Sequence, residues 1–189
     1  MNPTGIAHPA ETELFDDTLS CELSLPAVFE AGAKVKRPGS AEMLLRSIAL
    51  VEDARNVDDS DERNDNSLQL QRLEARLDLT LVLLGRLLQR EAPSASATPL
   101  RWSRHGLRLQ REQLGGFVAG TGGVVSLQPA EWLPDAIELP VVVLAEADTA
   151  QGAQLWLRLD TQNDALLAAV ERHLFRLHRK QIADSRRNR

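Results

Sequence analysis

Tyrosine is absent from the sequence, and the aromatic complement is three tryptophans and four phenylalanines in 189 residues. A core built from this chain must be mostly aliphatic, with Trp102, Trp132 and Trp156 as anchors of a core or an interface. Cysteine occurs once, at Cys21. That excludes an internal disulfide and a metal site built on several thiolates. Basic residues do not predominate: 22 Lys and Arg stand against 27 Asp and Glu, a net charge of −5. The chain as a whole therefore has no general attraction for nucleic acid or an anionic membrane. Long apolar runs are missing too. The longest apolar-rich stretch, "LDLTLVLLGRLL" at 77–88, contains Asp78 and Arg86 and is too short to span a bilayer. No basic flank joins an apolar segment near the N-terminus, as a secretory signal requires. A soluble, cytoplasmic protein without a membrane span is expected.

What is present divides into four pieces. Residues 1–17 are acidic ("ETELFDD" at 11–17) and are expected to be a flexible N-terminus. "LSCELSLPAVFE" (19–30) puts Leu19, Cys21, Leu23 and Leu25 on one face of a strand, which Pro26 confines to an edge or a bulge. "EAGAKVKRPGS" (30–40) is a breaker-rich linker. A helix follows, with apolar positions 41, 44, 45, 48 and 51 on one side and Ser40 as its N-cap. Residues 53–66 are charged, with Asp59 and Glu62 spaced as a capping box. From Leu68 to Glu91 leucine dominates and proline is absent, which favours a long helix. "APSASATP" (92–99) ends it.

The third piece reads as β. "PLRWS" and "GLRLQ" flank a Ser-Arg-His-Gly turn, and further strands are expected within 115–129, 137–147 and 153–161. Short strands at this spacing predict a small antiparallel barrel or sandwich. The fourth piece, 162–181, is an amphipathic helix striped by Leu166, Ala169, Val170, His173, Leu174 and Leu177.

The order of these elements, the turn "RWSRHG" and the final helix ending "RHLFRLHRKQ" resemble a PilZ domain. The resemblance covers 18–38 and 97–183. It implies an α+β fold: a six-stranded antiparallel barrel with a C-terminal helix. It leaves 39–91 as an insertion, read from its own pattern as a helical hairpin and coiled coil, and 184–189 as a basic tail. Many proteins of that family bind cyclic di-GMP through R-x-x-x-R before the first strand and [D/N]-x-S-x-x-G in a turn. Planar arginines suit phosphate and guanine. Here "ETELFDD" stands where the arginine pair would be. In the turn Ser103 and Gly106 match, but Arg101 replaces the Asp or Asn. A retained turn with a lost phosphate clamp is expected, so cyclic di-GMP is not expected to bind. In the turn, glycine would supply backbone freedom and the serine hydroxyl a bond to a nearby amide. The alternative is a receptor with a rearranged site, in which Arg101, Arg104 and Arg108 hold phosphate. A third reading, a hydrolase using Ser103, lacks the G-x-S-x-G setting.

Other motifs point to structure. "GTGGVV" (120–125) lacks the Lys and following helix of a phosphate loop and reads as a flexible hairpin. His173 and His178 are five apart and do not share a face as metal ligands at i, i+4 would. His173 is expected at the hydrogen-bonded edge of the core. The basic C-terminal residues (Arg172, Arg176, Arg179, Lys180, Arg186, Arg187, Arg189) suit a solvated helix end. No cofactor or metal is expected.

The insertion carries a heptad. With Leu70 at a, Leu73 falls at d, Leu77 at a, Thr80 at d, Leu84 at a and Leu87 at d. Glu74 and Arg76 flank the first heptad with charge, whereas Leu81, Leu83 and Leu88 occupy flanking positions later. A helix apolar over so much of its surface must be covered nearly all round. A homo-oligomer is expected, most simply a tetramer, with Leu70, Leu73, Leu77, Leu81, Leu84, Leu87 and Leu88 in its interface. The overall expectation is a non-enzymatic adaptor of bacterial motility, type IV pilus or virulence regulation. It would act by contact with itself and with a protein partner that the sequence does not identify.

Overall fold

The computed structural model describes residues 8–57, the positions 73, 77, 80 and 84, residues 96–130, residue 133 and residues 135–187. Six strands form a closed antiparallel barrel: β1 (Ser20–Ala31), β2 (Ala97–Ser103), β3 (Gly106–Arg111), β4 (Gly122–Leu127), β5 (Ile137–Thr149) and β6 (Gly152–Leu159), in the spatial order β1-β2-β3-β6-β5-β4. Helices α1 (Pro9–Phe15), α2 (Ser40–Val57) and α3 (Asp164–Arg187) pack around it.

β1 closes the barrel because it serves two partners. Ser20–Pro26 pair with β2, and Ala27–Ala31 pair with β4. Pro26 sits at the hand-over. A closed barrel has no edge strand, so the expected edge or bulge is not how the proline is accommodated. It stands where one ladder ends, and its carbonyl accepts the Gln128 amide at 3.0 Å. The irregularity is in β5 instead, between Val143 and Ala145, where a bulge helps a long strand bend.

The interior is aliphatic, as the composition demands. Leu100, Leu107, Leu127, Ile137, Leu139, Leu155 and Leu157 are fully buried with Trp102. α3 caps this core with Leu166, Ala169, Val170, His173 and Leu174, the expected stripe. Its first turn is capped by the Asn163 side chain, whose Oδ1 accepts the Ala165 and Leu166 amides at 3.0 and 3.2 Å. The helix runs to Arg187, so most of the expected basic tail is helical. α2 packs against α3 and β5 and buries Ala41, Leu45 and Ile48 in the same core. The start of the insertion is thus part of the barrel's own packing. Ser40 opens α2 by donating its hydroxyl back to the Arg37 carbonyl at 2.8 Å, which differs from the expected side-chain cap of a helix amide.

The N-terminal expectation is corrected at 8–17. Pro9–Phe15 form a helix. His8 Nδ1 accepts the Ala10 amide at 3.2 Å, Pro9 occupies the first turn, where its missing N–H costs nothing, and Glu11 suits the positive end of the dipole. Ala10, Leu14 and Phe15 are buried against the outside of the barrel. Seven residues are too few for a helix that is stable by itself. This one is fixed by its docking.

Candidate functional site

Strand register places charged and aromatic side chains in one row on the outer surface. Glu22 pairs with Arg101, Arg101 with Arg108, and Arg108 with Trp156, across β1, β2, β3 and β6. Directly paired residues project to the same face. Helix α1 lies on this row. Glu11 Oε1 accepts hydrogen bonds from Arg101 Nη1 and Arg108 Nη1, each at 2.8 Å. Glu11 Oε2 accepts from the Trp156 indole N–H at 2.7 Å. The His8 ring stacks on Trp156 with centroids 4.5 Å apart, and the Arg101 guanidinium covers the Phe15 ring at 4.4 Å. Arg108 also reaches Glu22 at 3.1 Å, and Arg158 pairs with Glu13 at 3.1 Å. Burial alone would push the Glu11 carboxyl up. The bonds from Trp156, Arg101 and Arg108 outweigh it and hold the group below its ordinary value.

The turn beside this row joins it to α1. Ser103 is fully buried. Its hydroxyl accepts the His105 and Gly106 amides at 3.1 and 3.3 Å and donates to the Leu14 carbonyl at 2.7 Å. The proton is committed to α1, and the oxygen is not presented to a substrate. Gly106 is needed for space more than for conformational freedom. A Cβ there would collide with the Leu157 carbonyl and lie 2.9 Å from Leu14 Cδ2. The turn is therefore also the seat of the helix.

A family model described as "Atypical PilZ domain, cyclic di-GMP receptor" matches residues 45–187. The chain belongs to the atypical PilZ domain family. A solved structure of a pathogenic protein from Xanthomonas campestris is similar to it, with 48% identity over 92% of this chain and 96% of that one, and a TM-score of 0.79. That protein is described as a new tetrameric PilZ domain self-assembled via an unusual helical bundle. No curated protein gives a significant match.

In this PilZ barrel the sequence-singled residues fall in different places. Arg101 and Arg108 converge on Glu11. Arg104 points elsewhere, to an exposed pair with Glu171 at 3.4 Å, and does not join them. Glu11, the centre of the arrangement, was missed from sequence; Trp156, expected as a core or interface anchor, is buried beneath α1, but its bond to Glu11 was not foreseen. The signals were Trp156 on the polar phase of an otherwise alternating strand, and the Ala10–Leu14 spacing in "PAETELF". The family match begins at Leu45, so α1 and β1 lie outside it.

Of the oligomer positions, Leu73, Leu77 and Leu84 are helical and 58%, 57% and 50% exposed. Leu70, Leu81, Leu87 and Leu88 lie outside the described residues, as do Asp59, Glu62 and Trp132. His173 is buried, with Nε2 3.2 Å from the Pro129 carbonyl. Burial lowers its pKa to about 4, against the Pro129 bond and with help from Arg176. "GTGG" is not a flexible hairpin. Gly120 donates to the Val143 carbonyl at 2.8 Å, and Val143 donates to Thr121 at 2.9 Å. The loop before it wraps the Glu146 carboxylate, which accepts the Gly115 and Phe117 amides at 2.7 and 2.9 Å. No cluster that could hold a metal and no helix able to cross a membrane occurs among the described residues.

Proposed function

We propose that this PilZ chain is a non-enzymatic adaptor in bacterial motility, type IV pilus or virulence regulation that works by protein contact, assembled as a homotetramer and not responding to cyclic di-GMP. The observation that carries the reading is the Glu11 carboxylate on Arg101 and Arg108. The arginines that could replace the missing clamp are already neutralised by the chain's own N-terminus. A dinucleotide would have to displace three charge-assisted or indole bonds, the charged ones costing about 1.5–3 kcal/mol each. Calorimetry should give no saturable heat at micromolar cyclic di-GMP; a low-micromolar constant would overturn this half.

Assembly is supported by Leu73, Leu77 and Leu84. They are exposed at a, d spacing on a helix, and exposed leucines at that spacing call for a partner helix. The Xanthomonas relative, tetrameric through a helical bundle, supports the number four. Light scattering should return four times the 20.9 kDa chain mass, and Leu77→Asp with Leu84→Asp should reduce it to one. A single-chain mass for the unaltered protein would refute the assembly.

The family description as a receptor favours one second reading: a cyclic di-GMP site rearranged around Arg101 and Arg108. The same titration separates the two.

A further inference from the structure

Helix α1 is tied to the barrel in chain order only by residues 16–19, and what holds it down is side-chain chemistry. The barrel contributes a ready-made surface: two guanidiniums and an indole N–H converging on one carboxylate. Beside them lie an apolar floor of Trp156 with Leu144, Ala145 and Ala147, and the Ser103 hydroxyl aimed at a helix carbonyl. The helix contributes a carboxylate at Glu11, followed at i+3 and i+4 by Leu14 and Phe15, which drop into the floor. These apolar contacts form a cluster separate from the barrel core. The barrel core is therefore a different set of side chains from the one beneath α1.

We infer that the row Arg101–Arg108–Trp156 is a peptide-docking site, occupied in cis by α1. Its partner in trans is an acidic helical segment of another protein with a carboxylate one turn ahead of a Leu-Phe-like pair. Charge complementarity selects the class. Arg101, Arg108 and Arg158 face Glu11 and Glu13, so a basic or neutral helix would leave Arg101 and Arg108 with only the exposed Glu22 as counter-charge at a partly dry surface. The apolar floor selects a peptide over a small anion, because only a side-chain pair at i+3 and i+4 of the carboxylate fills it. A cis occupant at high effective concentration masks the site until a competitor arrives. This inference names the partner class for the adaptor reading and rests on it.

The test uses the full chain with a recognition sequence for a specific protease inserted between Asp17 and Thr18. The protein is folded first and then cut. A fluorescent peptide of residues 8–17 is added, and anisotropy is measured. Binding to the cut protein should be saturable and at least tenfold tighter than to the uncut protein. Peptides carrying Glu11→Ala or Leu14→Asp should bind at least tenfold more weakly. A peptide that keeps Glu11, Leu14 and Phe15 but differs elsewhere should bind within a few-fold. No binding to a cut chain that keeps its near-ultraviolet dichroism overturns the site. So does loss of that dichroism on cutting, since α1 would then be integral to the barrel. Binding restricted to this chain's own segment would make the face an exchange site between copies and overturn the partner. The assay reads neither chain mass nor cyclic di-GMP, so its failure leaves the adaptor tests standing.

Discussion

Helices α3 and α1 both lie on the barrel, yet they are held by opposite means. α3 inserts Leu166, Val170 and Leu174 into the single large core beside Leu45 and Ile48 of α2. α1 rests outside on a small apolar cluster, and its specificity comes from Glu11 between two arginines and an indole. Apolar burial is not screened by salt and is hard to exchange. Charged contacts at a half-open surface are screened, titratable and replaceable. The difference separates the part of the molecule that is the fold from the part that can report on it.

The comparison breaks most visibly at α3. Leu174→Ala should cost about 2–5 kcal/mol of global stability, the range for a fully buried leucine, seen as a lower urea midpoint of the whole barrel. A two-step unfolding curve with the barrel step unmoved would show α3 to be as detachable as α1.

The second test also concerns α3. His173 titrates near 4 when folded and near 6.5 when not. As pH falls below 6.5 the unfolded chain binds the proton first. Stability is therefore complete above 6.5, declines toward 4 and levels off below, a loss of about 3 kcal/mol. Denaturation midpoints between pH 7 and 4 should follow this slope, and His173→Leu should flatten it.

For α1 the expected effect is smaller and local. Glu11→Gln should weaken docking by about 1–3 kcal/mol and change Trp156 fluorescence while the barrel midpoint barely moves. Because the Glu11 pKa is depressed, its contribution is present above the ordinary value of 4.5 and is lost only as pH drops through the lower folded value. The two helices should thus respond to acid in separate windows, α3 first. Smallest of all, Arg104→Ala removes an exposed pair with Glu171 and should shift stability by under about 1 kcal/mol. A larger shift would mean that surface charge matters at α3 as well.

The same contrast explains what could be read from sequence. Strands with Leu155, Leu157 and Leu159 on one phase, and α3 with its stripe, announce themselves because one continuous core imposes one period on each element. α1 has no such period. It is seven residues long, and only Trp156 with Leu144, Ala145 and Ala147, distant in sequence on the outer face of the barrel, make its apolar side meaningful. The arginines were visible, but their partner was not. Whether Arg101 and Arg108 meet a phosphate or a carboxylate depends on strand register across β2, β3 and β6, which no local pattern encodes. Arg104 looked equivalent to them and is not, since it lies past the end of β2 in the turn.

The two-partner strand β1 has a consequence for the order of folding. β2 with β3, β4 with β5 and β5 with β6 are pairs of strands consecutive in sequence and can form over short distances. β1 leaves at Ala31, and its neighbour β2 starts only at Ala97, with the whole insertion between. Closing so long a loop is disfavoured entropically, though only by about 0.6 kcal/mol for each doubling of length, and such distant contacts slow folding. The barrel should therefore close late. Until β1 arrives, β2 and β4 each keep an unpaired edge, and the nascent chain is open to pairing with a neighbour.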